Sequence, residues 1–280
     1  MNASVASNLP VVTRFAPSPN GPLHLGHAYS AIVAHDLAIN AGGRFLLRIE
    51  DIDGARSRGE LADEYRRDLE WLGLKWEEVP AQSTRLATYE AVFERLKAAG
   101  LVYPCQCARA DIQAAGANMG SMGPIYPGTC KGKEVPEDAS VQWRLDLEAA
   151  GTIAGELQWH DAIAGVQVCN PHLLGDVVIW RRDEPASYHL AATVDDAADG
   201  VSIVTRGRDL FEATHIHRLL QALLDLPTPA YHHHALVLDE NGHKLAKRRG
   251  SPALAARREA GEDGQMLAEQ LRMQKFELGT

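Results

Sequence analysis

The order of patterns in residues 11–100 constrains the fold more than any other feature of this chain. A β-like run at 11–15 breaks into a turn rich in Pro and Gly. A helical pattern follows over 25–39, with Ala28, Ile32 and Leu37 among its apolar positions, and Gly42-Gly43 stops it. The next run, 45–49, is short and mostly apolar, as a strand buried in a parallel sheet would be. Ser57 and Glu60 match a capping box ahead of a helix carrying Leu61, Tyr65, Leu69 and Leu72. A further helix carries Tyr89, Val92, Phe93 and Leu96 and ends at Gly100. This strand–helix–strand–helix order predicts an α/β fold with a parallel sheet of the doubly wound, Rossmann type.

The character changes at Tyr103. Residues 104–136 are rich in Gly, Pro and Cys, with little periodicity. Val141, Trp143, Leu145 and Leu147 then alternate with polar neighbours, as in a half-buried antiparallel strand. Short β-like runs continue at 166–168 and 177–180. The α/β signal returns with a helix over 188–198, a strand at 201–205, an amphipathic helix over 216–224 and a strand at 235–238. We therefore expect a discontinuous core (1–102 and 186–250), an α+β insertion (103–185) and a short helical tail (251–280). No apolar run approaches the ~20 residues that span a bilayer, and residues 1–10 lack a signal-peptide pattern. Four cysteines do not make a disulfide scaffold, so a reducing cytoplasm is the expected location. A net charge of −9 argues against indiscriminate polyanion binding, although Arg56/Arg58, Arg181/Arg182, Arg206/Arg208 and residues 244–249 leave room for local basic patches.

Residues 14–27 read Arg-Phe-Ala-Pro-Ser-Pro-Asn-Gly-Pro-Leu-His-Leu-Gly-His. Helix N-termini attract anions, because their first N–H groups lack partners and the macrodipole is positive there. His24 and His27 share one face of the first turn, and Gly26 permits close approach to the backbone. The arrangement suits a nucleotide phosphate. Ligands of open parallel sheets sit beyond the carboxyl ends of the strands, and Arg14, Glu50 and Arg206 fall at such ends. Two cations and one anion complement a ligand with two carboxylates and one ammonium, which is the charge pattern of glutamate and aspartate. Residues 242–250, Gly-His-Lys-Leu-Ala-Lys-Arg-Arg-Gly, form a glycine-flanked cationic loop suited to transient contact with a triphosphate.

In combination these segments resemble class I aminoacyl-tRNA synthetases of the glutamyl type. Residues 14–27 resemble the HIGH signature, Leu47-Arg-Ile-Glu-Asp-Ile-Asp53 the motif that follows it, and residues 237–248 the KMSKS loop with its lead-in. The resemblance runs over residues 12–250. It implies catalytic roles for His24, His27, Lys244 and Lys247, and ATP contacts at Pro17, His24, Gly26, His27 and Lys247. It implies a glutamate pocket of Arg14, Ala16, Ser18, Glu50, Tyr188 and Arg206, with Glu50 taking the ammonium. The implied reaction is attack of the glutamate carboxylate on ATP, assisted by Mg²⁺, giving glutamyl-adenylate and pyrophosphate. Such catalysis is positioning and electrostatics, so no protein nucleophile is needed. Ala246 stands where the signature usually carries serine, and slower activation is expected from it.

Glutamyl- and glutaminyl-tRNA synthetases append an anticodon-binding domain after the KMSKS loop, and such a domain takes at least ~50 residues. Thirty residues follow Gly250, so the expectation is that the anticodon is not read by the family's usual means. Truncated glutamyl paralogues of this kind resemble the glutamyl-queuosine tRNA(Asp) synthetases. That resemblance implies transfer of glutamate to the queuosine base in the anticodon loop of tRNA(Asp), with Arg181 and Arg182 as one basic pair for tRNA or a plain strand-end pair. The alternatives are a 3′-end glutamyl-tRNA synthetase fragment, a HIGH-type adenylyltransferase for a small molecule, and a binding protein that has lost activation. A monomer without membrane contact is expected.

Cys105, Cys107 and Cys130 supply three thiolates, and Zn²⁺ prefers four sulfur or nitrogen donors. Cys169 lies in a β-like run and reads as a packed thiol. The resemblance points instead to Tyr126 as the fourth donor of one structural zinc ion; the alternative is three reduced cysteines without metal. His232, His233 and His234 precede the expected strand at 235–238, and neighbours on a strand face opposite ways. They read as buried or pocket-wall residues, and His35, His160, His172, His215 and His217 carry no signal.

Overall fold

Val12, Thr13, Arg14 and Phe15 are all buried, as the central strand of a parallel sheet demands. The structure, a computed structural model, describes residues 10–136, 139–183, 185–237 and 252–274. Strand β1 (Val12–Phe15) leads through helix α1 (Leu25–Asn40) to β2 (Arg44–Leu47), which pairs with β1 in parallel. The crossover needs Gly43, where a Cβ would lie 1.9 Å from the Val11 carbonyl oxygen. Helix α2 (Gly59–Trp71) then leads to β3 (Glu77–Glu78), parallel to β2. The expected capping box does not form. Arg58 occupies the N-cap position without a side-chain bond, and Ser57 Oγ instead accepts from Asp53 N at 3.3 Å. Helix α3 (Leu86–Ala98) buries Tyr89, Phe93 and Leu96.

The segment read as one insertion divides between two sheets. Strands β4 (Val102–Cys105), β7 (Gln142–Leu145) and β10 (Val178–Trp180) make a separate antiparallel sheet in the order β10-β7-β4. Helix α4 (Arg109–Ala114) and the small hairpin β5 (Met119–Gly120)/β6 (Gly123–Pro124) hang from it. The expected alternation stops at Leu145, because Asp146 accepts from Glu148 N and Ala149 N and starts helix α5 (Leu147–Ala154). The hairpin β8 (Gln158–Asp161)/β9 (Gly165–Val168) leaves this unit and extends the core sheet.

After helix α6 (Tyr188–Ala198), strand β11 (Ile203–Gly207), helix α7 (Ala213–Leu223) and strand β12 (Ala230–His234) complete that sheet in the order β11-β12-β8-β9. Both β11 and β8 run parallel to β12. Ser202 N donates to the Val12 carbonyl at 2.9 Å, which brings the edge of β11 against β1. Chain order reverses between β1 and β11, so the crevice beyond their carboxyl ends is the switch point where ligands bind such sheets. The last strand was expected at 235–238 and lies at Ala230–His234 instead, with Leu238 outside the described residues. The apolar run that suggested the strand lines the cavity instead, through Ala235, Leu236 and Val237, and His233 and His234 are buried within the strand before it.

Helices α8 (Leu254–Glu259) and α9 (Gly264–Met273) pack on α1 and α2. Leu254, Leu267, Ala268 and Leu271 join the same core as Ile32 and Leu69. Each fully buried leucine contributes roughly 1.5–3 kcal/mol, and Arg258–Asp68 and Arg272–Asp36 ion pairs fix the orientation. Among the described residues no helix is long and apolar enough to cross a membrane.

Candidate active site and metal-donor cluster

A cavity of about 590 Å³ opens at the switch point. Arg14, Ala16, Pro17, Ser18 and Glu50 line it from the ends of β1 and β2. His24, Gly26 and His27 face it from the start of α1, and Tyr188 and Arg206 from α6 and β11. Every described residue that the resemblance assigned to glutamate or ATP is therefore on one wall or another. Lys244, Lys247 and Ala246 lie outside the described residues. The chain enters that segment from Val237 on the cavity wall and leaves it near Leu254, whose N–H donates to the Leu23 carbonyl at 2.8 Å.

The histidines form a reciprocal cap. His24 Nδ1 accepts from Gly26 N and His27 Nδ1 accepts from His24 N, both at 3.1 Å, with the rings 3.9 Å apart. An Nδ1 that accepts leaves the proton of a neutral imidazole on Nε2, so both rings carry an N–H donor suited to phosphate oxygen. Gly26 also has a more local task than backbone access, because a Cβ there would sit 3.0 Å from His24 Cε1.

Arg14 gives Nε and Nη2 to Asp196 and Nη1 to the Thr205 carbonyl. An arginine has five N–H groups, so two remain for a ligand. Glu50 takes a hydrogen bond from Arg48 Nη2 at 3.2 Å. Burial pushes the Glu50 carboxyl up to about 7, against the opposing pull of Arg48 and Arg14. Arg48 itself has no solvent exposure and also reaches Asp196 and Asp199, each at 2.8 Å. Burial works to raise the Asp196 carboxyl, but Arg14 and Arg48 hold it below the usual range. Arg206 lies within β11 and donates to His233, Tyr188, His217 and Thr214 at 2.7–3.3 Å. Four of its N–H groups are thereby used and one remains.

Sequence reasoning missed Arg48, Asp196 and His217, and it read His233 as a buried or pocket-wall residue without its bond to Arg206. Arg48 had a readable signal, since a charge between Leu47 and Ile49 in an apolar run must be buried and paired. His217 had none.

Four donor atoms converge away from the cavity. Cys105, Cys107 and Cys130 place their sulfurs within 4.8 Å of one another. Tyr126 Oη lies 3.3 Å from Cys105 Sγ and 3.7 Å from Cys107 Sγ, and Cys107 and Cys130 are 3.5 Å apart. Donors around tetrahedral Zn²⁺ stand about 3.3–3.8 Å apart, given Zn–S of about 2.3 Å, so this donor set fits. Arg144 stacks on the Tyr126 ring at 3.7 Å and donates to Cys105 Sγ at 3.2 Å, holding two donors in place. Cys169 is elsewhere, donating to the His215 carbonyl. Arg181 and Arg182 both make bonds within the fold. Arg181 binds Asp53 and the Ile52 carbonyl, and Arg182 donates to the Gln106 carbonyl beside the cysteines.

Residues 10–276 match the family model described as tRNA synthetases class I (E and Q), catalytic domain. The chain belongs to that family. Among class I synthetases it is similar to a glutamyl-Q tRNA(Asp) synthetase of Rhodobacter capsulatus, 48% identical over 270 residues that cover 90% of this chain and 96% of the relative. A protein of the same name from Symbiobacterium thermophilum is 44% identical, covering 89% of this chain and 81% of that one. The fold matches the crystal structure of a glutamate tRNA ligase from Elizabethkingia meningosepticum in complex with its amino acid. That match has a TM-score of 0.78 and 25% identity, over 95% of this chain and 61% of the other.

Proposed function

We propose that this protein activates L-glutamate with ATP and transfers the glutamyl group to queuosine in tRNA(Asp). The observation that carries the reading is the convergence of Arg14, Glu50, Arg206, His24 and His27 on one cavity. Relatives named for the glutamyl-Q reaction, at up to 48% identity, support the choice of acceptor.

In this reading the N–H groups left on Arg14 and Arg206 take the carboxylates of glutamate. Glu50 takes its ammonium, and Tyr188, Ala16 and Ser18 complete the pocket. Pro17, Gly26 and the two Nε2–H donors of His24 and His27 border the phosphates. The glutamate oxygen bonds to the α-phosphorus as the bond to pyrophosphate breaks, and Lys244 and Lys247 offset the charge that builds up. Mg²⁺ bound with the triphosphate would offset the negative charge of its oxygens. Among the described residues the only grouped metal donors are the cysteines. Cys105, Cys107, Cys130 and Tyr126 would hold one Zn²⁺, which clips a segment poor in apolar residues. Residues 1–102 and 186–250 act as the catalytic core, and the antiparallel sheet with its cysteine cluster as the inserted unit.

Pyrophosphate exchange across the amino acids, run without tRNA, tests activation. Glutamate-dependent exchange is expected, and its absence overturns the reading. Nuclease mapping of tRNA charged with labelled glutamate tests the acceptor. Label in the anticodon-loop fragment is expected; label on the 3′ adenosine means the acceptor is wrong.

A further inference from the structure

The two guanidiniums on the cavity wall are held in different ways. Arg14 is paired with a carboxylate, Asp196, at 2.9 Å. Arg206 has no carboxylate among its hydrogen-bond partners, which are two imidazoles, a phenol and a hydroxyl. Burial drives both imidazoles toward the neutral form, His233 down to about 4 and His217 well below its ordinary value. Neutral acceptors orient a guanidinium without cancelling its charge, which then stays available to an anionic ligand.

This cage works only if His233 offers Arg206 a lone pair. Arg206 Nε donates to His233 Nε2 at 3.1 Å, so the proton of that ring must be on Nδ1. His233 Nδ1 lies 2.7 Å from Asp161 Oδ2, which accepts it, and Oδ2 also accepts from His233 N at 3.1 Å. The other oxygen, Oδ1, accepts from Ile163 N and Ala164 N at 2.9 and 2.8 Å. All four donors face one carboxylate, so Asp161 must be ionised. Its oxygens are occupied on both sides, and it has 1% exposure. It ends β8, the strand that joins the core sheet from the segment between β7 and β10.

We propose that Asp161 and His233 are positioning residues for Arg206, fixing the imidazole tautomer that aims its guanidinium at the substrate carboxylate. The inference rests on the reading of Arg206 as a glutamate contact. An asparagine at 161 has one oxygen where two are needed. Either it loses the Ile163 and Ala164 bonds, or its amide N–H faces His233 and moves the ring proton to Nε2, where it opposes Arg206 Nε–H.

The test measures KM for glutamate and for ATP in pyrophosphate exchange, with melting temperature alongside. Asp161→Asn and His233→Leu are expected to raise KM for glutamate between about 10- and 100-fold, as sub-ångström misplacement of a binding group does, with KM for ATP unchanged. His233→Gln supplies an oxygen near Nε2 and is expected to recover most of that loss. If Asp161→Asn does not fold, the His233 pair carries the test. Folded variants with the parental KM for glutamate overturn the proposal. So does an equal rise in both KM values without rescue by glutamine, which would mark a purely structural role. Arg206→Gln separates the two levels: if it leaves KM for glutamate unchanged, the glutamate-site reading falls and this inference with it. If it raises KM while the Asp161 and His233 variants do not, only the inference falls.

Discussion

Arg48 donates to Glu50 at 3.2 Å from a side chain with no solvent exposure. It stands at the centre of a cluster in which the guanidiniums of Arg14, Arg48 and Arg85 meet the carboxylates of Glu50, Asp195, Asp196 and Asp199. Three cations against four anions leave the cluster one positive charge short when Glu50 is ionised. In the proposed function the glutamate ammonium would supply that charge.

Removing the central cation should therefore be severe. Arg48→Met leaves Glu50 without its paired cation and takes one cation each from Asp195, Asp196 and Asp199, and breaking a buried pair costs about 3–5 kcal/mol. Urea denaturation is expected to show a loss of that size. A change below 1 kcal/mol would mean that the cluster is not what holds β2 to α6.

Glutamate binding should weaken as pH falls through about 7, the value to which burial raises Glu50. The sign follows from the ligand. The ammonium needs the carboxylate form, so protonating Glu50 opposes binding by up to ~10-fold per pH unit below that value. His189 and His233, each brought down to about 4 by burial, stay neutral across this window. Equilibrium binding of glutamate alone, measured between pH 5.5 and 8 (roughly one unit either side of that value), should show the slope, and Glu50→Gln should lower affinity and flatten it.

The cysteine cluster predicts metal content. Elemental emission measurements on the purified chain should find one zinc per chain, and Cys130→Ser or a strong chelator should remove it. Loss of the metal should lower the melting temperature, because binding free energy is folding free energy in such sites. Tyr126→Phe keeps three thiolates and should weaken retention without abolishing it. Full retention after Cys130→Ser would exclude this donor set.

Lys247→Ala should reduce pyrophosphate exchange about 100- to 1000-fold, the usual loss for one donor at a developing charge, with the glutamate dissociation constant unchanged. Ala246→Ser restores the hydroxyl of the signature and should speed exchange. Parallel loss of glutamate affinity in Lys247→Ala would place that lysine in the wrong subsite.

Much of the cavity was legible in sequence because its parts are local. The Arg14 to His27 stretch carries its own strand end, turn and helix start, and the i, i+3 spacing sets His24 and His27 on one turn, where their rings lie 3.9 Å apart. Glu50 directly follows the apolar run 45–49, three residues past the end of β2, and Tyr188 begins a helix capped by Ser187. The N-cap of α2 was misread because Ser57 had a competing donor, Asp53 N, that spacing alone does not reveal. The last strand was misread because Tyr231, His233 and His234 are buried together, and histidine has no fixed side of the polar divide.

Residues 14–27 determined by themselves that this chain has a strand–turn–helix with donors at the helix start. They also place one guanidinium of the pair at a strand end. Short-range spacing and backbone chemistry suffice for that. Only the tertiary structure decided how the charges are partnered. Asp196 comes to Arg14 from 182 residues away and Asp161 to His233 from 72, and no periodicity records such pairs. They exist because burial leaves a charged group no water to turn to, so each must find its partner wherever the folded chain brings one.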